Sequence, residues 1–281
     1  MIHSSTQLKA LVRNKAKGDS TKAQIIIRSY IMERFLERIS LSKYGNNFVL
    51  KGGFLISSIV GLDTRSTMDI DGTIKNLVLT VATVQEMIEE IIAITLDDNT
   101  IFSIKNISEI MDDTEYGDIR ISLDAQIDMM KTPLKVDIST GDVITPREVS
   151  YQYKLMFEDR SISIFAYNFE TLLAEKLETV ISRGTANTRL RDFYDLYLLQ
   201  IKASDSIDYK VFKQALIATC QKRGSSQLLE NGELILQEVQ SSIIMNDLWH
   251  NYQKKYDYAK EISWDLVMKH IYELFISLNI L

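Results

Sequence analysis

Residues 48–74 read FVLKGGFLISSIVGLDTRSTMDIDGTI, and the fold turns on how this stretch is parsed. Phe48-Val49-Leu50 is a short apolar run of strand character that passes directly into Lys51-Gly52-Gly53. The glycine pair opens a short apolar helix over 54–60. Glycines at such a junction let backbone N–H groups approach an anion with no Cβ in the way, and the helix N-terminus adds partial positive charge. After the polar loop Thr64-Arg65-Ser66-Thr67 comes a second strand, Met68-Asp69-Ile70-Asp71-Gly72-Thr73-Ile74. Its period of two puts Asp69 and Asp71 on one face. Two carboxylates side by side on a rigid element repel unless a cation sits between them, and oxygen donors suit a hard ion, Mg2+ or Mn2+. Arg65, Ser66 and Thr67 stand where they could hydrogen-bond phosphate oxygens. Taken alone, the same letters also fit a plain tight turn and a solvated pair of acids.

Upstream, a helix capped by Asp19 or Ser20 is expected to run to about Ser40, with Ile27, Ile31, Phe35 and Ile39 on one face. Downstream, Val84, Met87, Ile88, Ile91 and Thr95 mark an amphipathic helix. Residues 101–110 form a weaker strand. Ile119, Ile121, Leu123, Ala125, Ile127 and Met129 alternate with polar residues, the mark of a half-buried strand. Residues 133–139 alternate likewise, and 161–165 are expected to close the sheet. From Asn168 the signal turns helical: Leu172, Leu173, Leu177 and Val180 mark one helix, and Leu190, Phe193, Tyr194, Tyr197 and Leu198 the next. The last helix shows Val267, Ile271, Leu274 and Leu278 on one face. Strands with interleaved helices, then helices alone, predict an α+β protein: a mixed sheet with flanking helices, followed by an all-α C-terminal domain. The expected division is 1–45, an N-terminal helical segment; 46–167, the sheet-bearing core; and 168–281, the helical domain.

Composition bounds the function. The chain has 281 residues, 46% apolar and 25% charged, with two prolines, which is ordinary for a globular protein. One cysteine, Cys220, and three scattered histidines give no thiolate or imidazole metal motif. Any metal must then rest on carboxylates, and a reducing cytoplasmic setting is expected. No signal-peptide h-region and no apolar run of about 18 residues occur, so no membrane span is predicted. A net charge of −6 argues against a surface that grips polyanions everywhere. Residues 1–28, however, carry Lys9, Arg13, Lys15, Lys17, Lys22 and Arg28 against Asp19. This segment fits either a nucleic-acid-binding arm or a solvated helix.

Two further groups carry chemistry. In Lys135-Val136-Asp137, the pleat turns Lys135 and Asp137 to one face and Val136 to the other. If this strand lies beside the one bearing Asp69 and Asp71, Asp137 becomes a third acid there, enough for two divalent ions. In the helical part, Ala174-Glu-Lys176-Leu precedes Arg191-Asp192-Phe-Tyr-Asp195-Leu. Lysine and arginine over a catalytic cleft would neutralise triphosphate charge. Surface salt bridges account for the same helical spacing.

In this order, Lys51-Gly-Gly53, Asp69-Ile-Asp71, Lys135-Val-Asp137, Ala174-Glu-Lys176-Leu and Arg191-Asp-Phe-Tyr-Asp195-Leu resemble the AbiEii nucleotidyltransferase-like toxins of the polymerase-β-type superfamily. The resemblance spans roughly 45–200. It implies an enzyme moving a nucleoside monophosphate from an NTP to an acceptor, acting as the toxin of a toxin–antitoxin or phage abortive-infection system. Related toxins add nucleotides to the tRNA 3′ end, so an RNA acceptor and a cognate antitoxin are the implied partners. By motif match, Asp69, Asp71 and Asp137 would bind Mg2+ and carry catalysis with Lys176 and Asp192. Lys51, Gly52, Gly53, Arg65, Thr67, Lys176, Arg191 and Asp192 would bind the nucleotide. Phe54 stands where the family carries a small residue and is expected to narrow the nucleotide pocket.

Two alternatives remain open at this point. Asp69-Ile-Asp-Gly-Thr73 also fits the haloacid-dehalogenase phosphatase signature, with Asp69 as nucleophile and Asp71 as general acid/base. Its strand is preceded by polar Thr64-Arg-Ser-Thr67, however, and the acids expected after Gly141-Asp142 are missing. A non-catalytic nucleic-acid-binding protein on a degenerate transferase fold would use the basic segment 1–28, but all three acid positions are filled.

Overall fold

The computed structural model describes residues 1–110 and 118–280. The chain forms two compact units, one of residues 1–142 with 149–166 and one of 143–148 with 167–281.

The first unit is built on a seven-stranded mixed sheet of order β3-β4-β5-β2-β1-β7-β6. Its strands are β1 (Phe48–Lys51), β2 (Asp69–Ile74), β3 (Thr100–Ile110), β4 (Asp118–Ile127), β5 (Met130–Thr140), β6 (Val149–Lys154) and β7 (Ser161–Ala166). β2 pairs parallel with β5 and antiparallel with β1, whereas β1 pairs parallel with β7. Two sequence expectations shift here. Strand β4 ends at Ile127, because Asp128 adopts φ 51° and opens a two-residue hairpin turn that leaves Met129 92% exposed. The sheet also continues past β7: residues 149–154 add an edge strand that pairs with it antiparallel.

Among the described residues, this unit carries α1 (Ser5–Ala16), α2 (Ser20–Leu41), α3 (Gly52–Val60) and α4 (Val81–Ile92). Asp19 caps α2 as expected, its carboxylate accepting from Lys22 N–H at 2.9 Å. α1 buries Leu8, Val12 and Ala16 and packs along α2, which leaves Lys9, Arg13, Lys15 and Lys17 in solvent.

α2 is buried on more than one face. Beside Ile31, Phe35 and Ile39 it buries Glu33, Arg34, Glu37 and Arg38. A buried charge is tolerated only when paired, and Arg34, Glu37 and Arg38 are, whereas Glu33 is held toward its neutral form. Arg38 makes a fork of two 2.9 Å bonds to Asp98. Arg34 reaches Glu37 at 2.9 Å and Glu158 at 3.2 Å, while Arg160 bridges both of those acids. Glu33 accepts from Met156 N–H, and burial pushes its pKa up to about 8.

The second unit is helical: α5 (Phe169–Arg183), α6 (Leu190–Ala203), α7 (Tyr209–Arg223), α8 (Gly232–Ser241), α9 (Ile243–Lys255) and α10 (Trp264–Ile276). α5 begins at Asn168, whose side chain accepts from Thr171 N–H at 2.8 Å, and ends at Gly184. Phe193, Trp249 and Trp264 form an aromatic core. Among the described residues, no helix is long and apolar enough to cross a membrane.

Candidate functional site

Strand pairing in the first unit brings the predicted acids together. In register, Asp71 lies opposite Asp137 on β5 and opposite Lys51 on β1, and Asp137 lies opposite Arg120 on β4. Cα partners share a face of a sheet. One row therefore runs Arg120, Asp137, Asp71, Lys51, with two acids flanked by two cations. Two residues along, Asp69 lies opposite Lys135 on the same face. The opposite face holds Ile70, Val136, Ile138, Ile119 and Ile121, all buried. Apolar core on one side fixes which side the acids must take.

The junction at β1 and α3 closes over Asp71. Gly52 has φ +66°, and a Cβ added there would meet Asp71 Oδ2 at 2.1 Å. No L side chain fits, so glycine is required by both conformation and contact. At the first turn of α3, Gly53 N–H donates to Asp71 Oδ2 at 3.2 Å. A Cβ on Gly53 would press on Arg65 Nη2 at 2.9 Å and Thr67 Oγ1 at 3.0 Å. Arg65 and Thr67 are only 1% and 3% exposed. They stand behind the glycine pair as its support, rather than in the open loop that the sequence suggested. Phe54 likewise turns inward: it is buried, with its ring 5.2 Å from that of Tyr153.

The electrostatics of the row are unbalanced. Burial raises the pKa of Asp69, and the neighbouring charge of Asp137 raises it further, against Lys135, Arg120 and Arg28. Asp71 is pushed up to about 6, chiefly by burial; Lys51 and the Gly53 hydrogen bond oppose the shift, and Asp137 and Asp69 add to it. Two carboxylates held at raised pKa on one face favour a divalent cation, and their hard oxygens suit Mg2+ or Mn2+. Asp137 differs, because Arg120 takes both its oxygens, Nε to Oδ1 at 2.8 Å and Nη2 to Oδ2 at 2.7 Å. Among the described residues, no three His, Cys, Asp or Glu side chains are gathered closely enough to hold a metal ion. The expected trio thus stands as two acids and a third in an ion pair. Lys51 is also occupied, bonding Asp142 at 2.6 Å, and Asp142 accepts from Ser139 at 2.7 Å. Arg120 and Ser139 were not singled out from the sequence, and Asp142 was weighed only against the phosphatase signature. The alternation of 119–127 marked Arg120's face, but only the cross-strand register reveals its partner.

The helical unit holds the other constellation. Lys176 on α5 reaches Asp192 at 2.7 Å and Asp195 at 2.8 Å, both on α6. Arg189 closes on Asp192 at 2.9 Å. All three members of the Lys176 cluster are largely buried, Asp195 completely. Arg191 instead donates to the Tyr256 hydroxyl at 3.0 Å and lies over its ring, and its charge helps draw the Tyr256 pKa down.

Comparison with known proteins assigns these motifs to a family. The family model described as "Nucleotidyl transferase AbiEii toxin, Type IV TA system" matches residues 34–270. No curated protein sequence matches the chain. Among solved structures, JHP933 from Helicobacter pylori aligns with TM-score 0.50 and 15% identity, over 91% of this chain and 92% of its own. A candidate nucleotidyltransferase, also from H. pylori, aligns with TM-score 0.49 and 15% identity, over 91% and 95%. At such identity the likeness to JHP933 concerns the fold. The phosphatase alternative for Asp69-Ile-Asp-Gly-Thr73 falls with the family match. With its α+β fold and its acid-bearing strands beside a glycine turn, the chain belongs to the AbiEii family of nucleotidyl transferase toxins of type IV toxin–antitoxin systems.

Proposed function

We propose that this chain transfers a nucleoside monophosphate from an NTP to an RNA acceptor, with a tRNA 3′ end as the foremost candidate, using Mg2+ or Mn2+ held by Asp69 and Asp71. One observation carries the proposal: both acids share a face of β2 at raised pKa, and Asp71 lies directly under the glycine turn that opens α3. In the transfer, an acceptor oxygen forms a bond to the α-phosphorus, the bond from that phosphorus to the bridging oxygen breaks, and pyrophosphate leaves. When bound, the metal neutralises phosphate charge and lowers the pKa of the attacking hydroxyl.

The protein's own groups orient and balance. Gly52 leaves room beside Asp71, and Gly53 N–H, which now donates to that carboxylate, is the kind of backbone donor that phosphate oxygens accept from. Lys51 adds positive charge from the neighbouring strand. Arg65 and Thr67 hold the turn in shape. Asp137 occupies the position of the third carboxylate, as a metal ligand or as acceptor of the hydroxyl proton. By the sequence resemblance Lys176, Arg191 and Asp192 would bind the nucleotide; the buried pairing of Lys176 with Asp192 and Asp195 supports a structural role for Lys176 and Asp192 instead. The enzyme is proposed to work in the cytoplasm and to be restrained there by a cognate antitoxin.

The test is incubation with total RNA, Mg2+ and each labelled NTP in turn. Label is expected to enter a discrete RNA band with one NTP preferred. Asp69→Asn and Asp71→Asn should cut the rate by about a thousandfold or more, as loss of a transition-state charge contact does. A folded Asp71→Asn protein that labels RNA at the parental rate would refute the assignment.

A further inference from the structure

In the folded chain the third acid is already paired with a cation, Arg120. Its guanidinium makes two short, parallel bonds to Asp137, 2.8 and 2.7 Å, the fork-to-fork geometry that matches arginine to a carboxylate. The register holds this pair in place. β4 and β5 form a continuous antiparallel ladder from Ile119 to Ile127, and Arg120 sits directly opposite Asp137 within it. The neighbouring acid on the other side is Asp71, so Asp137 lies between a cation and an anion in one row. The pair is not sealed: the Arg120 side chain is 42% exposed and that of Asp137 is 20% exposed. Such a bridge is strong enough to set a resting arrangement and weak enough to be exchanged for another cation.

We propose that Arg120 is a positioning residue that latches Asp137, so that this carboxylate joins the metal site only when the guanidinium is displaced. This rests on the assignment of Asp69 and Asp71 as the primary metal ligands. The resting protein then offers a divalent cation two carboxylates, and the third arrives as a conditional ligand. Arg120 acts as a built-in competitor for the metal, a cation already paid for by the fold. The latch makes the affinity of the site depend on a residue that touches neither nucleotide nor acceptor in the resting state.

The experiment is Mn2+ binding to the full-length, nucleotide-free protein, followed by the electron paramagnetic resonance of free Mn2+, with circular dichroism as the check of fold. Arg120→Gln keeps a polar side chain of similar reach but loses the charge and the fork; it is expected to tighten Mn2+ binding by about threefold to tenfold. Arg120→Lys keeps the charge without the fork and should fall between. A general Coulombic effect of removing a cation would also tighten binding, so the deciding comparison is made in the Asp137→Asn background. There the gain from Arg120→Gln should vanish, because the two effects act through one carboxylate. Equal tightening with and without Asp137, or no tightening in a folded Arg120→Gln protein, overturns the latch. Asp71→Asn separates the two levels: if it abolishes Mn2+ binding while Arg120→Gln changes nothing, the metal site stands and the latch falls. If Asp71→Asn leaves Mn2+ binding unchanged, both fall.

Discussion

The Asp69–Asp71 face of the sheet unit and the Lys176 cluster of the helical unit both hold two acids close together, yet they balance charge in opposite ways. Lys176 sits between Asp192 and Asp195 at 2.7 and 2.8 Å, and Arg189 adds a further contact. On β2, Lys51, the residue opposite Asp71, bonds Asp142, and the pKa of Asp71 stays pushed up to about 6. The same unit shows that it can neutralise a buried acid when structure demands it, as Arg38 does for Asp98. Acids kept for stability have their counter-charge built in. Acids kept for a ligand are left in want of one.

The sharpest way to break this contrast is Lys176→Ala. If the cluster is structural, removing the ammonium strips charge from two buried carboxylates and should cost about 3–5 kcal/mol in stability. Thermal melting would show it. An unchanged melting temperature would move Lys176 from the structural to the ligand-binding class, and weakened NTP binding in that folded variant would complete the reversal.

Gly52→Ala is expected to act less strongly on the fold. It places a Cβ at φ +66° and within 2.1 Å of Asp71 Oδ2, so the carboxylate must shift. A cost of about 1–2 kcal/mol is expected, together with a loss of transfer out of proportion to that cost, because the displaced group is the candidate metal ligand. Melting and the RNA-labelling assay, run on one preparation, separate the two effects. A variant with normal transfer would show that Asp71 need not hold its position.

Much of this contrast was legible in the residues. The period of two put Asp69 and Asp71 on one face, and alternation at 133–139 placed Asp137 with them once β2 and β5 paired. Helical periodicity found α5, α6 and α10. Other features required three dimensions. Edge strand β6 alternates Val149, Tyr151 and Tyr153 with Ser150, Gln152 and Lys154, but it buries only Tyr153, and so short a run between loops does not read as a strand from sequence alone. The reach of β4 was overestimated because Met129 continues the apolar pattern into a turn. The burial of Glu33, Arg34, Glu37 and Arg38 on α2 was not foreseen, since their partners Asp98, Met156, Glu158 and Arg160 are distant in sequence. Arg120 shows the same limit at the site: register between strands is not written in either strand alone.

The claim that Asp71 is held ready for a cation makes a stability prediction with a definite sign. Its folded pKa, about 6, lies above the ordinary carboxylate value of 3.8. The folded protein therefore holds its proton more tightly than the unfolded chain, and metal-free stability should fall as pH rises from about 4 through about 6. Above that range the charged Asp71 costs up to about 3 kcal/mol. A bound divalent cation should offset this cost. The decisive measurement is thermal melting at pH 7.5 with and without saturating Mg2+, for the parental chain and Asp71→Asn. The account predicts that Mg2+ raises the parental melting temperature by about 3 °C or more, and that Asp71→Asn melts no lower than the metal-free parent and barely responds to Mg2+. An equal Mg2+ response in both proteins would contradict it.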